Sequence, residues 1–190
     1  MIILGIDPGT LITGISIIEI ERSAVTMFAY DIVKNSSNDS MPIRLQHIYS
    51  KLCEFIDLYH PDECAIETAF YGKNAQSALK IGHARGVSIL AAVNHEIPTT
   101  EYSPREIKKA VTGNGAASKQ QVQYMVKTQL KLKETPKYLD ASDSLAIALC
   151  HFYRLQHQNK FVGRSQPGKK ISKNWSAFVE AHPERILRVR

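Results

Sequence analysis

Cysteine is scarce in this chain of 190 residues, and the three present, Cys53, Cys64 and Cys150, are an odd set without metal-ligand spacing. That pattern excludes a disulfide framework and a zinc centre. With each thiol in an apolar context, it points to reduced, buried cysteines in a cytoplasmic protein. Long apolar runs are missing as well. None reaches the length of a transmembrane helix, and no basic stretch precedes an apolar core at the N-terminus, so neither a membrane contact nor a secretory leader is expected. Positive charge is short only at the front. Residues 1–67 contain four Lys and Arg against ten Asp and Glu, whereas 68–157 contain twelve against six and 158–190 eight against two, for a net charge of +6. Individually many of these cations serve to solvate helix faces. Their segregation suits a chain that holds cations with its first part and a polyanion with the rest. At 44% hydrophobic and 22% charged residues, the composition is that of one soluble globular domain.

What is present begins with Ile2-Ile3-Leu4-Gly5-Ile6-Asp7-Pro8-Gly9-Thr10. An apolar run that ends in one carboxylate and a Pro-Gly turn reads as a buried strand delivering a single acid to its C-terminal rim. Because an ionised carboxylate is costly to bury alone, Asp7 meets either a cation or tight backbone donors. The plainer alternative is that it closes an Asx-Pro turn.

The apolar runs Ile12 to Glu19 and Ala24 to Val33 follow, separated at hairpin distance, so the first three strands form an antiparallel meander. Ile43, Leu45, Ile48, Leu52, Phe55 and Ile56 recur at helical spacing up to His60-Pro61. Next, Glu63-Cys64-Ala65-Ile66-Glu67 repeats the design of the first strand, with an acid at its end. A crossover helix between two parallel strands brings both strand ends to one rim, which places Glu67 beside Asp7. Phe70-Tyr71-Gly72-Lys73-Asn74 then supplies aromatics, a glycine and a lysine before a helix over roughly Ser77 to Val93. That helix carries Ala78, Gly82 and Gly86 on one stripe, for close approach of a helix from either the same chain or a second copy. After a short strand, Ile97 to Tyr102, capping boxes at Ser103-Pro104-Arg105-Glu106 and Ser118-Lys119-Gln120-Gln121 open two further helices. These bring forward Lys108, Lys109, Lys119 and Lys127.

The last helix runs from near Asp140 to about His157, with Asp140 and Asp143 on one face of its first turn. Taken singly, Asp140 reads as an N-cap and Asp143 as a charge favoured by the helix dipole. If Asp7, Glu67, Asp140 and Asp143 converge, two like charges about 4 Å apart repel by roughly 4 kcal/mol at an effective dielectric near 20, so protons or metal ions must neutralise them. Oxygen ligands without His or Cys select Mg²⁺ or Mn²⁺, and two such ions suit in-line displacement at a phosphodiester.

Gly5-Ile6-Asp7-Pro8-Gly9 with Thr13-Gly14, Ala65-Ile66-Glu67 with Phe70, Lys73-Asn74-Ala75, Ser77-Ala78-Leu79-Lys80, Ala84-Arg85-Gly86 and Asp140-Ala141-Ser142-Asp143 resemble the RuvC Holliday-junction resolvases of bacteria. The likeness runs in order from Ile2 to about His157 and lapses beyond about Gln158. It implies an α/β, ribonuclease H-like fold with a five-stranded mixed sheet flanked by helices. It also implies a homodimer, and Mg²⁺-dependent paired nicking of four-way DNA junctions together with the RuvA and RuvB branch-migration proteins. Carried over residue by residue, it makes Asp7, Glu67, Asp140 and Asp143 the metal-binding, catalytic acids, serving two ions with Mn²⁺ as a substitute. The DNA-contacting set is Phe70, Tyr71, Lys73, Lys80, Arg85, Lys108, Lys109 and Lys119, with Phe70 stacking in the junction. Ser16 stands where the family has a glycine, and Leu139 and Ser144 replace small residues beside the last acids.

Two other classes compete. The Asp7-Pro8-Gly9-Thr10 loop before a hairpin also resembles the first phosphate loop of actin-like and sugar-kinase ATPases, which need a second domain for which this length leaves no room. A non-catalytic nucleic-acid-binding module would use the basic segments but not four acids. The expected organisation is a nuclease domain over 1–157 and a basic extension over 158–190. Lys160, Arg164, Lys169, Lys170 and Lys173 compose a flexible arm in that extension, and Ile171, Trp175, Phe178 and Val179 a short amphipathic helix.

Overall fold

The computed structural model describes residues 1–22, 24–68 and 75–162, without the side chains of 159–162. Its elements in chain order are β1 (Ile2–Asp7), β2 (Ile12–Glu21), β3 (Ala24–Lys34), α1 (Met41–Tyr59), β4 (Glu63–Glu67), α2 (Ala75–Asn94), β5 (Thr99–Tyr102), α3 (Pro104–Thr112), α4 (Lys119–Gln129) and α5 (Leu139–Val162). The strands lie in the order β3-β2-β1-β4-β5, with β1, β2 and β3 antiparallel and β4 and β5 parallel to β1. The five-stranded mixed sheet therefore forms as expected, with α1 as the crossover from the meander into the parallel half.

Strand period sorts the sheet into two faces. Leu4, Ile6, Ile15, Ile17, Cys64 and Ile66 point to the face covered by α1 and α2, where they pack with Ile48, Leu52 and Ala91. Ile3, Ile18, Ala65 and Tyr102 point to the other, where they meet α3, α4 and α5. On that second face α5 is buried from Ala141 to Phe152 except at Asp143. An apolar helix of this kind belongs between two layers, and full burial of side chains such as Leu145, Ile147 and Leu149 contributes about 1.5–3 kcal/mol each.

Two glycines let α5 settle. A Cβ on Gly14 would run into the Asp140 carbonyl, and one on Gly5 into the Ser144 carbonyl and to within 2.9 Å of the Ala148 Cβ. The N-terminal turns of α5 thus rest directly on the backbones of β1 and β2. Ser16 lies in the same layer, fully buried, and its hydroxyl finds no hydrogen-bond partner among the described residues.

Local signals set most element ends. Both capping boxes form: Ser103 Oγ accepts from Glu106 N and Ser118 Oγ accepts from Gln121 N, each at 3.3 Å. His60, in the left-handed region at φ 46°, closes α1 as the residue before Pro61. Other boundaries move. β5 starts at Thr99 rather than Ile97, and α2 begins at Ala75 rather than Ser77. α5 continues past the expected end at His157 to Val162, because no proline or glycine interrupts it there.

The stripe on α2 also resolves. A Cβ on Gly82 or Gly86 would meet nothing within 4 Å, so the internal helix–helix packing weighed for these glycines is absent among the described residues. They face outward beside Leu79, Leu90 and Val93, which are 63%, 51% and 55% exposed.

Candidate active site

β1 and β4 are adjacent and parallel with Ile6 opposite Ile66, so the next residues, Asp7 and Glu67, emerge side by side at the C-terminal rim. Both fall on the α5 face, since they lie an even number of residues from Ile3 and Ala65. Thr13 steadies the turn after Asp7: its hydroxyl donates to the Gly9 carbonyl at 2.6 Å and accepts from Gly9 N at 3.3 Å. Thr68 steadies the end of β4, its N–H and hydroxyl both donating to the Tyr102 carbonyl, at 2.8 and 3.2 Å.

Asp7, Pro8, Glu67, Thr68, Lys108, Lys119 and Asp143 line a cleft of about 380 Å³, floored by Ile107, Val122 and Ala146. α5 supplies Asp143, α3 supplies Lys108 and α4 supplies Lys119, whose Nζ donates to Asp143 Oδ2 at 2.9 Å. Asp140 does not line the cleft but is near enough for its charge to act on Asp7.

Electrostatics marks the acids as one system. Burial, then Glu67, Asp143 and Asp140, hold the Asp7 carboxyl well above its usual range, against a smaller opposing pull from Lys119. Glu67 is raised by burial and by Asp143, and moderated by Lys119, by a hydrogen bond from Asp7 and by Lys108. Lys119 is itself raised, chiefly by its hydrogen bond to Asp143.

Among the described residues no three of His, Cys, Asp and Glu are gathered tightly enough to form a ready metal cage. What is gathered is a set of hard oxygen donors whose mutual repulsion is met in part by the Lys119 ammonium. Such a set fits a hard divalent cation and no soft one.

The remaining residues expected at the DNA distribute unevenly. Lys109 and Lys80 are exposed and lie outside the cleft lining. Arg85 is tied to Glu101 on β5 in an ion pair that the sequence did not disclose. Phe70, Tyr71 and Lys73 lie outside the described residues. Reasoning from sequence missed Thr68, whose signal is faint: a hydroxyl residue just beyond a rim acid.

The model of the crossover junction endodeoxyribonuclease RuvC family matches residues 3–151. The chain belongs to this family. It is 45% identical to the crossover junction endodeoxyribonuclease RuvC of Christiangramia forsetii, over 97% of this chain and 92% of that one. It is 41% identical to the Salinibacter ruber protein of the same name, over 98% and 99%. Both alignments pass residue 158, so the likeness does not lapse there as expected, although the family model ends before it. The structure of Thermus thermophilus RuvC in complex with Holliday junction substrate superposes with a TM-score of 0.78 at 30% identity, covering 83% of this chain and 96% of that one. The fold is accordingly ribonuclease H-like, as the resemblance implied.

Proposed function

We propose that this RuvC-family chain is a structure-specific endonuclease that resolves four-way DNA junctions by paired hydrolytic nicks during recombination and repair. The observation that carries the reading is the pairing of Asp7 and Glu67 on adjacent parallel strand ends, facing Asp143 and two lysines across one cleft. A module that only binds DNA gains nothing from raised, mutually repelling carboxyls among its lysines.

Asp7, Glu67, Asp140 and Asp143 would hold Mg²⁺, or Mn²⁺ in its place, with two ions per site. Bound there, the metal supplies an activated water and stabilises the leaving oxygen. The protein's own part is positional and electrostatic. Lys108 and Lys119 draw the phosphodiester to the rim, and Lys119 also holds Asp143 in place.

Paired cutting needs two sites. The outward face of α2, with Gly82 and Gly86 open and Leu79, Leu90 and Val93 exposed, is the surface through which a second copy would pack. Phe70, Tyr71, Lys73 and Lys80, at the start of this helix or just before it, are proposed to meet the junction. RuvA and RuvB are the proposed partners and the cytoplasm the proposed location; no described helix is long and apolar enough to cross a membrane. Residues 158–190 are proposed as a basic extension of the nuclease domain.

The test is cleavage of a synthetic four-way junction against a linear duplex, with Mg²⁺ and with chelator. Symmetric, Mg²⁺-dependent nicks confined to the junction are expected. Binding without cleavage under any divalent metal would refute the reading.

A further inference from the structure

Lys108 stands on one side of the acids. In sheet order, Asp7 and Glu67 occupy the central strands, and α3 with Lys108 follows directly from β5 at one edge. Lys34 closes β3 at the opposite edge and pairs with Ile12, the first residue of β2 after the turn that follows Asp7. The end of β3 is bound to that turn: Asn35 N–H donates to the Leu11 carbonyl at 2.9 Å and Asn35 Nδ2 to the Thr10 carbonyl at 3.0 Å. Lys34 is therefore held at the rim that carries the acids.

Its ammonium lies 4.1 Å from the ring centroid of Tyr138, two residues ahead of Asp140, and that of Lys137 lies 5.7 Å from the same ring. Both lysines are exposed, and neither forms an ion pair among the described residues. Two cations gathered at one aromatic ring concentrate positive charge there. Such a concentration attracts an anion, and a cation–π contact leaves ammonium N–H groups free to donate to it.

Resting on the nuclease reading, we infer that Lys34, Lys137 and Tyr138 form a second DNA-backbone site, which grips phosphates of the strand on the far side of the acids from Lys108. The strand would then be held on both flanks of the scissile phosphodiester. Tyr138 gathers the two lysines, and its place beside Asp140 couples the grip to the turn of α5 that carries the acids.

The full-length protein is titrated with a synthetic four-way junction in Ca²⁺ over a range of salt, comparing wild type with Lys34→Gln, Lys34→Gln/Lys137→Gln, Tyr138→Leu and Lys51→Gln. Lys51 lies on α1 against Glu54 and serves as the control for net charge. The slope of log affinity against log salt should become shallower by about 0.9 for each lysine lost at the proposed site and stay at the wild-type value in Lys51→Gln. Tyr138→Leu should weaken binding by about 2- to 5-fold with its lysines intact. Wild-type slopes in both Lys34 variants, or an equal change in Lys51→Gln, would overturn the site while the nuclease reading stands. A wild-type protein that neither binds nor cuts the junction would bring down the nuclease reading itself.

Discussion

Gly14→Ala adds one methyl group and no charge, yet it should disable the active site. The added Cβ would lie 2.6 Å from the Asp140 carbonyl carbon and closer still to its oxygen, where ordinary contact begins at 3.4 Å. Backbone lies on both sides, so relief requires the first turn of α5 to retreat by on the order of 1 Å, carrying Asp140 and Asp143 away from Asp7 and Glu67. Overpacking of this kind costs about 1–3 kcal/mol, and for a chain of this size each kcal/mol lowers Tm by roughly 2–4 °C. A misplacement of about 1 Å at reacting groups costs on the order of 10²-fold in rate. Junction cleavage under single-turnover conditions and a thermal melt measure the two effects separately. The expected variant is folded, melts several degrees lower and cuts about a hundredfold more slowly. Cleavage within threefold of wild type at unchanged Tm would show that α5 does not locate its acids by resting on Gly14.

Asp7→Asn should leave junction binding intact or tighter while lowering cleavage by at least about tenfold, since it removes both a metal ligand and a negative charge facing phosphate. The folded chain holds the Asp7 proton more tightly than the unfolded chain, so the resulting stabilisation is complete below the ordinary carboxylate range and is lost as pH rises through the raised folded-state value. In chelator at pH 8, Asp7→Asn should therefore melt above wild type, and the gap should close towards pH 4; a lower melt at pH 8 would contradict the repulsion described. Lys119→Ala removes a cation that lowers both Asp7 and Glu67, so the acid limb of the cleavage–pH profile should move to higher pH, and an unmoved limb would exclude that coupling. Gly86→Leu should yield monomers by light scattering that no longer make paired cuts, whereas an intact dimer would place the interface elsewhere than on α2.

Much of this protein is written locally. The apolar runs of β1 and β4, each closed by an acid, specify buried strands with rim carboxylates. Helical spacing in α1 and the serine caps of α3 and α4 specify where those helices lie. These signals operate between residues a few positions apart, where backbone geometry leaves few options. The family-like motifs extended the reading to Asp140 and Asp143, whose own residues were equally suited to a helix cap and a dipole charge. Contacts made across long stretches of chain could be decided only by the fold. Gly5 and Gly14 matter because α5 descends on them, and nothing in their strands announces a helix more than a hundred residues later. Arg85 pairs with Glu101, and Lys34 meets Tyr138, because the packing of helices and loops against the sheet brings those positions together. The stripe on α2 faces outward, although the same spacing would serve an internal contact equally well. Periodicity records that a face is distinct, while its partner is chosen by packing, in which residues remote in sequence compete for the same surface.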